Sequence, residues 1–130
     1  MRVLIAEFMA EDAVAALRGR FDTTYDARLA DARDALLAAI GEADALIVRN
    51  RVRVDAALLA AAPRLRVVGR LGVGLDNIDL PACAARGIEV IPATGANALA
   101  VAEYVISAAM LLLRGAYFST AAVAAGDWPR

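Results

Sequence analysis

Four short runs of apolar residues, set apart by helix-length stretches, constrain this chain most. Residues 2–8, 45–48, 65–71 and 88–91 show little alternation of apolar with polar side chains. A strand with one wet face alternates; a continuously apolar strand is covered on both faces. The stretches between them carry helix punctuation. Residues 10–20 have Glu11 and Asp12 in the first turn and Arg18 and Arg20 in the last, where the helix macrodipole favours each sign, and Gly19 marks the stop. Residues 31–40 form a second helix, with Asp31 as its cap and Gly41 as its terminator. Asp55 caps a third that ends before Pro63, and residues 81–86 are a short fourth closed by Gly87. Residues 21–25, rich in Thr and aromatics, add a strand near an edge.

Strand and helix alternating about five times through short links predict a parallel sheet. The expected fold is α/β, a flavodoxin-like doubly wound sheet of about five strands. In such sheets ligands bind beyond the carboxyl ends of the strands. Glu7, Arg49, Asn50 and the turn at 72–74 all fall at such ends.

The pattern changes after residue 96. Residues 97–114 read as one long apolar helix in which Glu103 is the only charge before Arg114, and a second apolar stretch fills 116–125. A helix apolar on nearly every side must be covered on nearly every side, which calls for a partner domain or subunit. The expected division is therefore a domain at 1–96, then interdomain or dimerisation helices at 97–130 that begin a cofactor domain. With no return strand after them, the chain reads as a piece of a longer protein.

Composition narrows the function. The hydrophobic fraction is 61% and the mean hydropathy +0.57, above the roughly 45–50% apolar content of ordinary domains. Much of the excess is alanine; the rest is consistent with surface that meets another domain or subunit. A net charge of -1 gives no basic footprint for nucleic acid. All 14 basic residues are arginine, as GC-rich codon usage would produce. The single cysteine, Cys83, forms no internal disulfide and reads as a small core residue in a reducing, cytoplasmic setting. The apolar run at 98–113 is shorter than the ~20 residues of a membrane span and contains Glu103.

The chemistry concentrates at 67–79, Val-Val-Gly-Arg-Leu-Gly-Val-Gly-Leu-Asp-Asn-Ile-Asp. An apolar strand ending in Gly72-x-Gly74 leaves backbone N–H groups open to an anion, because no side chain blocks the approach. Asp76 or Asn77 is placed to cap the following turn. A tight turn without a ligand is the simpler alternative. Pyrophosphate binding fits poorly: the spacing is reversed from the dinucleotide fingerprint, and Asn77 stands where a small residue is needed.

Arg49, directly after a buried strand, is placed to pair with a carboxylate or phosphate. Arg51 beside it hints at a second anionic group on the ligand, whereas Arg53 reads as solvated surface. Arg70, inside an apolar strand, calls for a structural ion pair in preference to a direct ligand contact. Glu103 serves either as a capping or interdomain partner or within a site. The chain holds no histidine, the commonest general acid or base, and no P-loop, nucleophile elbow or metal-ligand cluster. It also lacks the lysine and strand-end aspartate of a phosphoacceptor receiver domain.

These segments resemble the D-2-hydroxyacid dehydrogenases, specifically the phosphoglycerate dehydrogenase-like branch and its sulfolactate dehydrogenase-like group. The likeness is carried by Leu46-Ile47-Val48-Arg49-Asn50, by 67–80, by Arg86-Gly87-Ile88-Glu89-Val90, and by Gly95-Ala96-Asn97 through Val101-Ala102-Glu103. The resemblance implies the N-terminal part of an NAD(P)-dependent enzyme interconverting a D-2-hydroxy acid and a 2-keto acid. It implies that the Val73 and Gly74 amides, with Gly72 and Asn50 beside them, hold the substrate carboxylate. Arg49 would meet the substrate's far end, and Asn97 and Val101 would lie near the nicotinamide. It further implies a homodimer through the helix at 98–113. The family's cofactor loop and catalytic Arg, Glu and His find no counterpart among these residues. By itself this stretch is expected to bind no NAD or NADP, hold no catalytic residue or metal, and turn nothing over. A competing reading is a binding, regulatory or dimerisation domain of the same fold.

Overall fold

In the computed structural model, the described residues are 1–115 and 118–128. They form two compact units, Met1–Thr94 and Gly95–Arg130.

The first unit is a five-stranded parallel sheet built from β1 (Arg2–Ile5), β2 (Asp22–Tyr25), β3 (Ala45–Val48), β4 (Val67–Arg70) and β5 (Glu89–Pro92). Their order is β2-β1-β3-β4-β5. This is the flavodoxin-like arrangement, with its topological switch between β1 and β3. The Thr-rich strand β2 is indeed an edge.

The two-residue period of the strands divides the core. Leu4, Ala6, Leu46, Val48 and Val68 pack with Leu36, Leu58, Leu59 and Cys83 from helices α2 (Arg33–Ala39), α3 (Ala56–Ala61) and α4 (Leu80–Ala85). Val3, Ile5 and Ala45 point the other way, onto Val14 of α1 (Glu11–Arg18). Leu46, Val48, Leu58 and Val68 are wholly buried. Each stabilises the fold by about 1.5–3 kcal/mol relative to an exposed side chain.

Helix punctuation follows the sequence in part. Asp55 caps α3, its carboxylate accepting from Leu58 N–H at 3.0 Å. Asp31 caps nothing. A 3-10 turn at Ala27–Ala30 intervenes, α2 starts from Ala32 without a side-chain cap, and the Asp31 carboxylate pairs with Arg51. Neither Asp76 nor Asn77 caps α4. Asp79 does, accepting from Ala82 N–H at 2.9 Å, and Pro81 sits in the first turn, where its missing N–H costs nothing.

The second unit is built on α5 (Ala98–Arg114), closed by Gly115 at φ 61°, followed by the short α6 (Thr120–Ala124). No residue of either helix is buried. Leu99, Val105, Ile106, Leu112 and Leu113 are all largely exposed. Among the described residues no helix is long and apolar enough to cross a membrane. Residues 116–117, at the head of the apolar stretch expected at 116–125, lie outside the described residues, as do 129–130.

Candidate functional site

The carboxyl ends of β1 and β3 meet at Glu7. This residue is 2% exposed, and its carboxylate is enclosed by the loop that follows β3. Oε1 accepts from the N–H groups of Arg49 at 2.8 Å, Arg51 at 3.1 Å and Val52 at 2.9 Å. Oε2 accepts from Asn50 at 3.2 Å and Arg51 at 3.1 Å. Four consecutive amides thus converge on one carboxylate, an anion nest filled by the protein's own side chain. Burial pushes the Glu7 carboxyl up; the N–H groups of Val52, Arg49, Arg51 and Asn50 outweigh it and hold the group below its ordinary value of 4.5. At the switch point between β1 and β3, where this fold commonly places its ligand, the loop amides are thus committed to Glu7.

The open backbone lies one strand further along. β3 and β4 run side by side with Val48 opposite Arg70, and Leu71 N–H donates to Val48 C=O at 2.8 Å. The chain then turns at 72–74. Gly72 N–H is used internally, donating to Arg70 C=O at 2.8 Å. Val73 and Gly74 differ: both residues are exposed, and neither N–H has a hydrogen-bond partner among the described residues.

Arg70 makes no ion pair among the described residues, contrary to the sequence expectation, and its Nε is buried without a hydrogen-bond partner. Its guanidinium lies across the glycine turn. A methyl group on residue 72 would collide with Nη1, and one on residue 74 would lie 3.9 Å from Nη2. Only the lack of a side chain at 72 lets the cation settle there. The sequence signal was available in the unbroken spacing Arg70-x-Gly72-x-Gly74, but an apolar strand pointed to a buried carboxylate partner instead.

Arg49 is exposed, and its guanidinium has no partner among the described residues. Arg51 does not stand beside it as a second free cation, being paired with Asp31. Arg53 is exposed, as expected. Asn50 is also exposed, and its backbone N–H is committed to Glu7.

Asn77 ties the two loops together. Its Nδ2 donates to Val52 C=O at 2.7 Å and, more weakly, to Arg49 C=O at 3.5 Å. Its own C=O accepts from Val54 N–H at 2.8 Å, and Asp79 N–H donates back to Val54 C=O at 2.9 Å. Arg49, Asn50, Gly72, Val73 and Gly74 thus gather at the ends of two adjacent strands. Asn97 and Val101 belong to the second unit, at the start of α5, and both are exposed.

The arrangement offers the Val73 and Gly74 amides, which open a run of amides without partners among the described residues from 73 to 77, and two arginine cations, a donor set for a small anion. The sequence holds no histidine, the Glu7 carboxylate is fully engaged by four amides, and the carboxylate nearest the glycine turn is that of Asp76, beside Gly74. Cys83 is buried, and burial pushes its thiol up, away from a reactive thiolate. No group of acidic, His or Cys side chains suited to a metal ion occurs among the described residues. Nor do these residues build a pyrophosphate cradle. A dinucleotide turn opens directly onto a helix N-terminus, whereas five residues separate Gly74 from the start of α4's helical run at Leu80, and Asn77 lies in the intervening loop.

The profile of the D-isomer specific 2-hydroxyacid dehydrogenase catalytic domain matches residues 3–125. The chain belongs to this family. It is 58% identical over 128 residues to (S)-sulfolactate dehydrogenase from Chromohalobacter salexigens, covering 98% of this chain and 41% of that protein. It is 42% identical over 130 residues to D-3-phosphoglycerate dehydrogenase from Mycobacterium bovis, covering 98% of this chain and 24% of the relative. The NAD+-bound 3-phosphoglycerate dehydrogenase of Entamoeba histolytica superposes with a TM-score of 0.71 at 26% identity, covering 85% of this chain and 38% of that one. This D-2-hydroxyacid dehydrogenase domain therefore spans less than half the length of these relatives.

Proposed function

We propose that this domain supplies the carboxylate-binding half of an NAD(P)-dependent dehydrogenase that interconverts a D-2-hydroxy acid and a 2-keto acid. The observation that carries the reading is the pair of unpartnered amides at Val73 and Gly74, beside the Arg70 guanidinium. Two N–H groups and a cation are what a carboxylate needs on leaving water. Asn50 and Gly72 shape the rim, and Arg49 reaches the far end of the bound acid.

A second anionic group at that far end suits the free Arg49 guanidinium, so the substrate is a dianion of the sulfolactate or phosphoglycerate kind. The 58% identity to a sulfolactate dehydrogenase supports this class. The nicotinamide supplies the hydride, and its binding site is assigned to the part of the relatives that this chain does not span. Asn97 and Val101 are assigned to the nicotinamide-facing side of α5. The exposed apolar side chains of α5 support its role as a homodimer surface.

The binding role is tested by titrating the 130-residue chain with sulfolactate, D-3-phosphoglycerate and D-lactate in a calorimeter. The dianions are expected to bind more tightly, and Arg49→Ala to remove that preference while leaving D-lactate unchanged. Equal loss for all three acids would contradict the assignment of Arg49.

A further inference from the structure

Glu7 and Arg49 are linked through the backbone alone. The Glu7 side chain enters from the end of β1 and receives the N–H groups of all four residues from Arg49 to Val52. The carbonyl side of the same loop is held by Asn77, through Val52 and Arg49. The loop is thus gripped on its donors from β1 and on its acceptors from the segment that follows the glycine turn. The Arg49 guanidinium has no hydrogen-bond or ion-pair partner among the described residues that would fix its direction. What aims its guanidinium is the path of the backbone beneath it.

We infer that Glu7 is a positioning residue that sets the distance between the Val73–Gly74 amides and the Arg49 guanidinium, and so selects the length of acid that bridges them. This inference depends on the anion-site reading above. The physical argument is one of pre-organisation. A long, exposed arginine on a loose loop loses conformational freedom on binding; on a clamped loop it starts from a restricted set of positions. The benefit falls only on ligands that use Arg49. An acid held by its carboxylate alone gains little from the clamp, because the amides that Glu7 holds are those of residues 49–52 and not those of Val73 or Gly74. Asn77 makes the coupling specific, since the same side chain that steadies the Arg49 loop sits three residues after Gly74.

The test is a double-mutant cycle on the 130-residue chain, with Glu7→Gln and Arg49→Ala and dissociation constants for sulfolactate and D-lactate. The glutamine keeps the size of the side chain but replaces one acceptor oxygen with a donor, leaving part of the nest without its partner. Glu7→Gln is expected to weaken sulfolactate binding about 5- to 10-fold and leave D-lactate within 2-fold. In the Arg49→Ala background the same change should have no further effect on sulfolactate, because the group it positions is gone. A merely structural role would weaken both acids alike, or add to Arg49→Ala undiminished; either result overturns the inference. Should Glu7→Gln fail to fold, Glu7→Asp, which keeps the charge but draws the carboxylate back from the four amides by one methylene, carries the same cycle with the same two outcomes. If wild-type chain shows no preference for sulfolactate over D-lactate, the anion-site reading fails and this inference falls with it. If wild type and Arg49→Ala behave as proposed while Glu7→Gln is additive, only the role of Glu7 is lost.

Discussion

Asn77 donates its side-chain amide to the carbonyl oxygen of Val52 across 2.7 Å, joining the loop after β3 to the loop after β4. Val52 is buried, so its carbonyl has little access to water in compensation. Removing one partner of a buried hydrogen bond leaves the other unsatisfied, at a cost of about 1–3 kcal/mol. Asn77→Ala is expected to lower unfolding stability by that amount in urea titration, with an unchanged denaturant slope. A change below the precision of the measurement would show that the two loops are held by other contacts.

Glu7 gives the domain a specific acid sensitivity. Its folded carboxyl lies below the ordinary value of 4.5, so its stabilising contribution is complete above the unfolded carboxyl's pKa and is lost as pH falls through the lower, folded value. Asp26, held at about 2 by Arg28, and Asp44 and Asp55, also lowered, contribute to the same acid limb. The difference between wild type and Glu7→Gln isolates Glu7. That difference is expected to be largest near neutral pH and to shrink below about pH 4. A difference constant from pH 7 to pH 2 would contradict the ionised nest.

Gly72→Ala sets a side chain against Arg70. The new methyl would occupy the position of the guanidinium Nη1, and the arginine tip, being flexible, would swing aside. Gly72 also sits at φ 158°, which L side chains rarely adopt, so stability should fall by about 1–3 kcal/mol, while carboxylate affinity falls because the cation leaves the turn. In an Arg70→Ala background, Gly72→Ala should cost little further affinity. Full additivity of the two changes would show that Arg70 is not the group displaced.

The sheet was legible in the sequence because its strands are short, apolar and punctuated. Continuous apolar runs give parallel strands, and Gly19, Pro63 and Gly87 stop the helices where the structure stops them within a residue or two. The caps were less legible. Aspartates crowd the starts of α2 and α4, and composition does not say which of them faces the free amides; Asp31 was drawn to Arg51, and Asp79 lay in better register than Asp76. The largest omission was Glu7. A carboxylate at a strand end reads as facing solvent or ligand, and nothing local reveals that residues some forty positions later will wrap around it. Arg70 was misread for the same reason, since the space that receives it is created by the absence of a side chain at 72. The glycine turn itself was legible, because backbone exposure follows from glycine at fixed spacing.

The second unit makes a prediction about association. Leu112 is 70% and Ile106 64% exposed on a helix with no buried residue. Apolar surface on this scale is characteristic of an interaction site. Sedimentation velocity over a range of concentrations is expected to show reversible self-association, shifted toward monomer by Leu112→Asp. A clean monomer for the wild-type chain at all concentrations would contradict a homodimer through α5.

The most direct measurement follows the backbone amides of Val73 and Gly74 by 1H–15N NMR while sulfolactate is added. The account predicts that these two resonances shift most and saturate together, with Gly72 N–H, already bonded to Arg70 C=O, moving less. Shifts confined to other parts of the chain, with Val73 and Gly74 unmoved at saturation, would contradict it.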